Sequence, residues 1–382
     1  MNSYHKIPFN KPFMTGKELE YISQAHVGGK LSGDGPFTKK CHGLLSRISG
    51  SKNVLLTHSC TAALEMCAYL LDIQPGDEII LPSYTFVSTA NAFVLRGAKP
   101  VFVDVREDTL NLDETLIENA ITKKTKAIIP VHYAGVSCEM DAIINIAKEH
   151  NLAVIEDAAQ GLMAKYKGRM LGSIGTFGTY SFHETKNIIS GEGGALLVND
   201  EKYIQQAEII REKGTDRSQF IQGLVDKYTW QNLGSSYLPG EIIAAFLLAQ
   251  LEQGFEITEE RLKIWNYYND GLAHLEGKGV LRRPIIPNGC EHNAHMYYIL
   301  LPDEKARNNL LRGLGSQGIN AIFHYIPLHS SPAGMRFSQS NSELRVTDSV
   351  AGRILRLPLW VGMTKKQQDF IMEEIDRLLQ SE

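Results

Sequence analysis

From residue 54 onward, short blocks of consecutive apolar residues alternate with longer stretches whose apolar positions recur at helical spacing. The short blocks are Val54-Leu55-Leu56, Glu78-Ile79-Ile80-Leu81, Pro100-Val101-Phe102-Val103, Ala127-Ile128-Ile129 and Leu152-Ala153-Val154-Ile155. Each reads as a strand buried on both faces, because a strand with one wet face would alternate apolar and polar residues. The intervening stretches 61–71, 87–95, 113–121 and 140–150 read as helices. Alternation of this kind predicts an α/β fold, with a mainly parallel sheet covered by helices on both faces. Right-handed crossovers then gather the working loops at the carboxyl ends of the strands. Two more apolar strands, 176–180 and 195–198, flank the polar stretch Ser181-Phe182-His183-Glu184-Thr185-Lys186-Asn187 and the turn Gly191-Glu192-Gly193-Gly194.

The two ends of the chain read differently. A short amphipathic helix is expected over 16–25, with Thr15 as N-cap and Leu19 and Ile22 on the apolar face. An exposed loop holding Gly28-Gly29 and Gly33-Asp34-Gly35-Pro36 follows, either as a connector or as a segment that closes over a ligand. Beyond Trp230 the rhythm changes. Residues 240–268 read as a long helix or a helix pair, a spine between domains. Tyr297-Tyr298-Ile299-Leu300, Ala321-Ile322-Phe323 and a last helix over 364–379 then suggest a smaller α+β domain. The expected division is 1–250 for the large domain and 251–382 for the small one.

Composition narrows the function classes. A net charge of −4 and a pI near 6.3 provide no general basic field, so nucleic acid is not an expected partner and any anion must be held by local donors. The five cysteines, Cys41, Cys60, Cys67, Cys138 and Cys290, are scattered without a Cys-x-x-Cys pair. They suit a reducing compartment better than a disulfide framework or a zinc site, and no metal is expected. The N-terminal residues lack the apolar core of a signal peptide, and no apolar run is long enough to span a bilayer. The expectation is a soluble, cytoplasmic protein with no membrane partner.

Four loops carry candidate chemistry. Lys186 stands just past a strand, among hydroxyls and glycines, where a desolvated amine becomes the nucleophile that Schiff-base chemistry needs. After the first strand, Ser59-Cys60-Thr61-Ala62 puts small and hydroxylated residues at a helix N-terminus, where free amides favour a phosphate; an ordinary Ser N-cap would look the same. Pro82-Ser83-Tyr84-Thr85-Phe86 places rings at a strand end, for stacking on a flat group or for plain packing. Asp157, in Glu156-Asp157-Ala158-Ala159-Gln160, leaves an apolar strand and needs a cationic partner or a helix to cap. Neither a dinucleotide nor an ATP fingerprint follows a strand. In combination, the four are the parts of a pyridoxal phosphate site.

These stretches resemble the DegT-type sugar-nucleotide aminotransferases, a branch of the fold-type-I pyridoxal phosphate enzymes. The likeness is carried by 59–64, 82–86, 156–161 and 181–187 with 191–194, and it runs through nearly the whole chain. It implies that Lys186 is the Schiff-base lysine, that Asp157 pairs with the pyridinium nitrogen and that Phe86 stacks on the ring. It places Gln160 near the ring hydroxyl, and Ser181 with the Cys60 and Thr61 amides on the phosphate. It puts His183, Tyr325 and His329 at the substrate, and it implies a homodimer with shared active sites. Two departures stand out. Relatives commonly have Gly at the position of Cys60, and many offer the partner's cofactor an Asn from Gly-Tyr-Asn-Tyr, where this chain has Gly234-Ser235-Ser236-Tyr237 and Ser236 would replace the donor.

Within the family, 82–105 and 131–135 look nearest to the branch that transfers the amino group of L-glutamate to C4 of dTDP-4-keto-6-deoxyglucose. Those enzymes give the galacto-configured amine for surface polysaccharides such as lipopolysaccharide and enterobacterial common antigen. A gluco-configured product or a 3-keto acceptor stays open, as does a non-catalytic cofactor- or sugar-binding regulator. A dehydratase of the same fold would have His at position 186. No arginine stands out for the donor's carboxylate, with Arg211 and Arg217 as candidates.

Overall fold

A computed structural model describes residues 6–339 and 343–380 of the chain. The first five residues, part of the segment read above for a signal peptide, lie outside the described ones. All the apolar blocks up to residue 198 form strands. These are β1 (Val54–Thr57), β2 (Glu78–Pro82), β3 (Lys99–Val103), β4 (Thr125–Ile128) and β5 (Ala153–Asp157), then, after a small hairpin of β6 (Lys165–Tyr166) and β7 (Arg169–Met170), β8 (Phe177–Ser181) and β9 (Gly194–Val198). Seven of them make one sheet in the order β1-β9-β8-β5-β4-β2-β3. The run from β8 to β3 is parallel. β9 is antiparallel to both its neighbours, β8 and β1. Between β8 and β9 the chain has no crossover helix and turns back through Gly191, whose φ of +80° suits a residue without Cβ. Because β1 runs in the same sense as β8, its carboxyl end opens at the same edge of the sheet.

The period-two pleat divides the apolar blocks between two cores. Ile80, Ile128 and Val154 pack on one face, while Ile79, Leu81, Ala127, Ile129 and Ile155 pack on the other. This is why the blocks are continuous in sequence. The stretch read as a helix over 113–121 is only a 3₁₀ turn, Glu114–Leu116, and one α-turn, Ile117–Ala120, after the Asp113 cap.

Two long-range contacts shape the N-terminal region in ways the local pattern did not show. The helix Glu18–Val27 starts later than expected, because the Glu18 carboxylate turns back to accept from Thr15 N–H at 2.7 Å and from Gln250 Nε2 at 2.7 Å. Its inner face is therefore Glu18 and Ala25, and Leu19, expected inside, is 79% exposed. The 28–36 loop leads straight into an unpredicted helix, Pro36–Ser49, which buries Phe37, Cys41, Leu45 and Ile48. No neighbouring side chain caps it. The buried Glu241 carboxylate does so, accepting from the amides of Gly35 at 3.1 Å, Phe37 at 2.8 Å and Thr38 at 3.0 Å, and from the Thr38 hydroxyl. Glu241→Ala strands those donors, so it is expected to cost about 3 kcal/mol, read as a clear fall in the thermal midpoint. An unchanged midpoint would mean that water replaces the carboxylate at no cost.

The spine is a helix pair, Glu241–Glu252 and Gly254–Gly271, interrupted at Gln253. The first helix packs into the sheet's core, and from Ile264 the chain builds another cluster with Tyr297, Ile299, Leu355 and Ile371. There β11 (Tyr297–Leu300) pairs antiparallel with β12 (Ile354–Leu357), while β10 (Cys290–Glu291) joins the β6–β7 hairpin. The block at 321–323 contributes a single bridge, Ile322 to Arg356. The last helix, Lys365–Leu379, starts from a capping box of Thr364 and Gln367. Among the described residues, no helix is long and apolar enough to cross a membrane.

Candidate active site

The strands' carboxyl edge opens into a cavity of about 670 Å³, roofed by Phe9 and by residues from beyond position 260. β1 leads to Ser59, Cys60 and Thr61 on its wall, β2 to Thr85 and Phe86, β5 to Asp157 and Gln160, and β8 to Ser181 and Lys186. The structure thus brings all four candidate loops to one cavity, as the crossover rule predicts.

Lys186 closes a tight turn after β8, with its N–H donating to the His183 carbonyl at 2.9 Å. Burial lowers the amine's pKa, the nearby Arg356 adds to that, and Cys60 and Asp157 pull the other way. The amine is thereby pushed toward its nucleophilic form. Asp157, at the end of β5, is 5% exposed. Its Oδ2 accepts from the Thr89 hydroxyl at 2.7 Å and its Oδ1 from Ala159 N–H at 3.1 Å, and Thr85 in turn bonds Thr89 at 2.8 Å. No helix follows Asp157, so it does not cap one; these donors fix the carboxylate on the cavity wall. Thr85 was read only as part of the 82–86 loop and Thr89 not at all, because a hydroxyl beside or within an apolar helix start carries no distinguishing signal.

The helix Cys60–Leu70 begins on Ser59, whose Oγ accepts from Ala62 N–H at 3.1 Å. The earlier amides, of Cys60 and Thr61, precede the intrahelical ladder and can donate to an anion. β9 presses on this loop. A Cβ on Gly194 would lie 2.3 Å from the Ser59 carbonyl carbon and 2.4 Å from the Cys60 nitrogen, so only glycine lets the two backbones meet. Burial pushes the Cys60 thiol up to about 12, so it is a neutral packing group. The Thr61 and Ser88 hydroxyls bond at 2.7 Å across the two helix starts. Phe86 is 57% exposed and presents a ring face beside Tyr325. Gln160 is fixed at both ends, its Oε1 accepting from Ala134 N–H at 2.7 Å and its Nε2 donating to the Tyr325 hydroxyl at 3.0 Å.

The remaining predicted residues divide. His183 and Tyr325 line the cavity, and His183 Nδ1 bonds Thr185 Oγ1 at 2.9 Å. His329 is outside the lining, its Nδ1 on Ser83 Oγ at 2.8 Å and its Nε2 3.3 Å from Asp348. Ser236 is exposed in a strand-like bridge to Glu212, away from its own chain's cavity. The two arginine candidates are engaged elsewhere. Arg211 is buried in a two-pronged pair with Asp34 at 2.7 and 3.1 Å, and Arg217 bonds Glu212 at 2.8 Å. Asp34 already fills the Arg211 fork, Arg217 is tied to Glu212 through one guanidinium nitrogen, and neither lines the cavity.

The roof supplies what the sequence reading missed: Phe9, Arg261, His295, His324 and Arg356. His324 Nδ1 bonds the Tyr133 hydroxyl at 2.7 Å, and His295 Nδ1 bonds Asn187 Oδ1 at 3.1 Å. Burial holds both imidazoles well below their usual pKa of 6.5, so they are neutral at pH 7. No motif or spacing marks these residues in the sequence. They converge only because the C-terminal part folds back over the sheet edge and the segment holding Phe9 lies against it.

The sequence model of the DegT/DnrJ/EryC1/StrS aminotransferase family matches residues 12–376. The chain is 32% identical to the spore coat polysaccharide biosynthesis protein SpsC of Bacillus subtilis, covering 97% of this chain and 96% of that one. It is 31% identical to the GDP-perosamine synthase of Caulobacter vibrioides, covering 99% of this chain and 100% of that one. Among solved structures, the sugar aminotransferase Spr1654 of Streptococcus pneumoniae in its PMP form superposes with a TM-score of 0.90 at 27% identity, covering 98% of this chain and 99% of that one. The same protein is known in a PLP form and an apo form.

Proposed function

The chain belongs to the DegT/DnrJ/EryC1/StrS aminotransferase family, and on that premise we propose that its cavity transfers an amino group from an amino-acid donor to a nucleotide-linked keto sugar, with pyridoxal phosphate as cofactor. The observation that carries this reading is the meeting of Lys186 and Asp157 in one cavity, at the ends of the adjacent strands β8 and β5.

The residues fit the cofactor. The Cys60 and Thr61 amides, with the Ser181 hydroxyl, suit its phosphate, the exposed Phe86 face suits its ring, and Gln160 suits its hydroxyl. When bound, the cofactor supplies an electron sink for the pair left on the donor's Cα as its proton departs. Asp157, braced by Thr89, would pair with the ring nitrogen and favour its protonated form. Lys186 Nζ, pushed toward its neutral form by burial, takes the Cα proton and later returns it. The roof of His295, His324 and Tyr325 limits water at the reacting atoms.

The finer reading is transfer from L-glutamate to C4 of dTDP-4-keto-6-deoxyglucose, giving the galacto-configured amine. It rests on the likeness of 82–105 and 131–135, and a relative named for a GDP-linked sugar supports the nucleotide-sugar class. The purified holoenzyme is expected to be yellow, to bleach with glutamate and to regain colour with the keto sugar. A panel of dTDP-, UDP- and GDP-linked keto sugars, with product configuration read by NMR, tests the acceptor. Preference for a 3-keto sugar or another nucleotide would overturn the acceptor alone; no bleaching with any amino acid would overturn the aminotransferase.

We also propose a homodimer with shared sites. The segment around Ser236 exposes Leu224, Trp230 and Leu233 at 68%, 79% and 54%, a large apolar surface for a free monomer. Ser236 would then reach the partner's phosphate. Mixing Lys186→Ala with a variant disabled at 235–237 is expected to restore activity through hybrid dimers carrying one intact site. No recovery, once subunit exchange is demonstrated, would exclude the shared site.

A further inference from the structure

The roof segment 293–295 is tied down at every residue. Asn293 Nδ2 donates to the carbonyls of Gln160 and Leu162, both at 2.7 Å, and its Oδ1 accepts from the His295 N–H at 3.0 Å. The buried Arg261 directs its guanidinium at the carbonyls of Ala294, at 3.1 Å, and His295, at 2.7 Å. Ala294 sits at a φ of +50°, a left-handed conformation that a residue with a Cβ keeps only where its surroundings impose it. What this scaffold fixes is the His295 ring.

The tautomer of that ring follows from its neighbours. Asn187 Nδ2 donates at 2.8 Å to the Asn293 carbonyl, which can only accept, so Asn187 presents its Oδ1 to His295. That oxygen cannot donate, hence the His295 Nδ1, 3.1 Å away, carries the proton. In the neutral ring Nε2 is then a bare lone pair. It has no hydrogen-bond partner among the described residues, and it belongs to a side chain that lines the cavity while only 9% of the residue is exposed. Burial first, then the nearby Lys186, Arg261 and Arg356, keep the ring from taking a second proton. Nε2 is therefore a good hydrogen-bond acceptor and a poor proton carrier.

A lone pair withdrawn from water is costly unless a ligand brings it a donor. Asn187, which holds the ring, directly follows Lys186, so that donor must lie close to the reacting atoms. An amino acid offers none there, because its nitrogen is the group transferred and its carboxylates only accept. A keto sugar does, in the hydroxyl on the carbon next to the ketone. We propose that His295 Nε2 accepts a hydrogen bond from this hydroxyl, so that His295 helps select the acceptor sugar, with Asn187 as the positioning residue that fixes its tautomer. This rests on the aminotransferase reading. The rival partner for the lone pair is the Lys186 ammonium, in which case both half-reactions would depend on His295 alike.

The test follows the two half-reactions of the holoenzyme separately by absorbance, using the keto sugar and an analogue without that hydroxyl (the 3-deoxy form where the ketone is at C4). Wild-type enzyme loaded with glutamate is expected to regain colour about 30-fold more efficiently with the hydroxylated sugar, the scale of one buried hydrogen bond left unmade. In His295→Asn the amide nitrogen replaces Nδ1 but nothing replaces Nε2. The preference should then fall nearly to parity, while bleaching by glutamate changes far less. His295→Gln brings an amide oxygen near the Nε2 position and should recover part of the preference. Asn187→Leu frees the ring to adopt its other tautomer and should lower the same ratio. A general loss of packing would slow both sugars alike and leave the ratio where it was, which would overturn the proposal. Equal use of the two sugars by the wild type would overturn it whether or not the variants fold. So would a loss in His295→Asn shared equally by the two half-reactions, which would make Lys186 the partner. A wild-type enzyme that no amino acid bleaches would instead sink the aminotransferase reading, and this proposal with it.

Discussion

Lys186→Ala is expected to lower turnover by about four orders of magnitude, because nucleophile and proton carrier are the same atom and are lost together. The variant should still fold. Lys186 lies in a turn whose backbone bond to His183 does not involve the side chain, and alanine fits the space. It should also still hold the cofactor, since the groups proposed to bind it, the Cys60 and Thr61 amides, Asp157 and Phe86, are all on other loops. Absorbance would show bound cofactor without the shift that a covalent lysine produces, and glutamate would bleach it very slowly. Added small amines should restore part of the rate, as a free base fills the vacated space. Turnover within tenfold of wild type would remove Lys186 from the chemistry.

The second large effect is expected from Asp157→Asn, at about two to three orders of magnitude in the proton-transfer step. The substitution preserves shape, and the Thr89 hydroxyl can still donate to the amide oxygen, so stability should change little. In the proposed role, the cavity loses the carboxylate that would keep the ring nitrogen protonated. The sign follows from that charge: without it, the ring's proton is lost at lower pH, so activity should fall off earlier as pH rises. Thr89→Val leaves the carboxylate in place but removes its brace, and a loss of about tenfold is expected, since one hydrogen bond to a charged group is at stake. Spectra and rates that match wild type across pH would show that Asp157 is only a buried acid satisfied by its neighbours.

Much of this site was legible because its parts are local. A block such as Leu152-Ala153-Val154-Ile155 commits to a two-face-buried strand within a few residues, and whatever follows it must emerge at the sheet's carboxyl edge. Lys186, Asp157, Phe86 and the Ser59–Thr61 loop all follow such blocks, so their convergence is a property of the strand–helix rhythm. The terminal helix over 364–379 was equally plain, having both its capping box and its apolar spacing within one segment.

Tertiary structure alone decided the rest. The helix Pro36–Ser49 has no local cap and takes one from Glu241, more than two hundred residues later in the chain. Leu19 looks like a core residue, yet the buried pair of Glu18 and Gln250 rotates its helix away from it. Arg211 resembles a free cation until Asp34 fills its fork. Arg356, His295 and His324 form the cavity roof only when the C-terminal strands and loops close over the sheet edge. The physical reason is the same each time. Apolar periodicity is written by the burial of a residue's own segment, and neighbours along the chain record it. A polar contact instead depends on which distant backbone or side chain arrives opposite, and adjacent residues hold no trace of that partner.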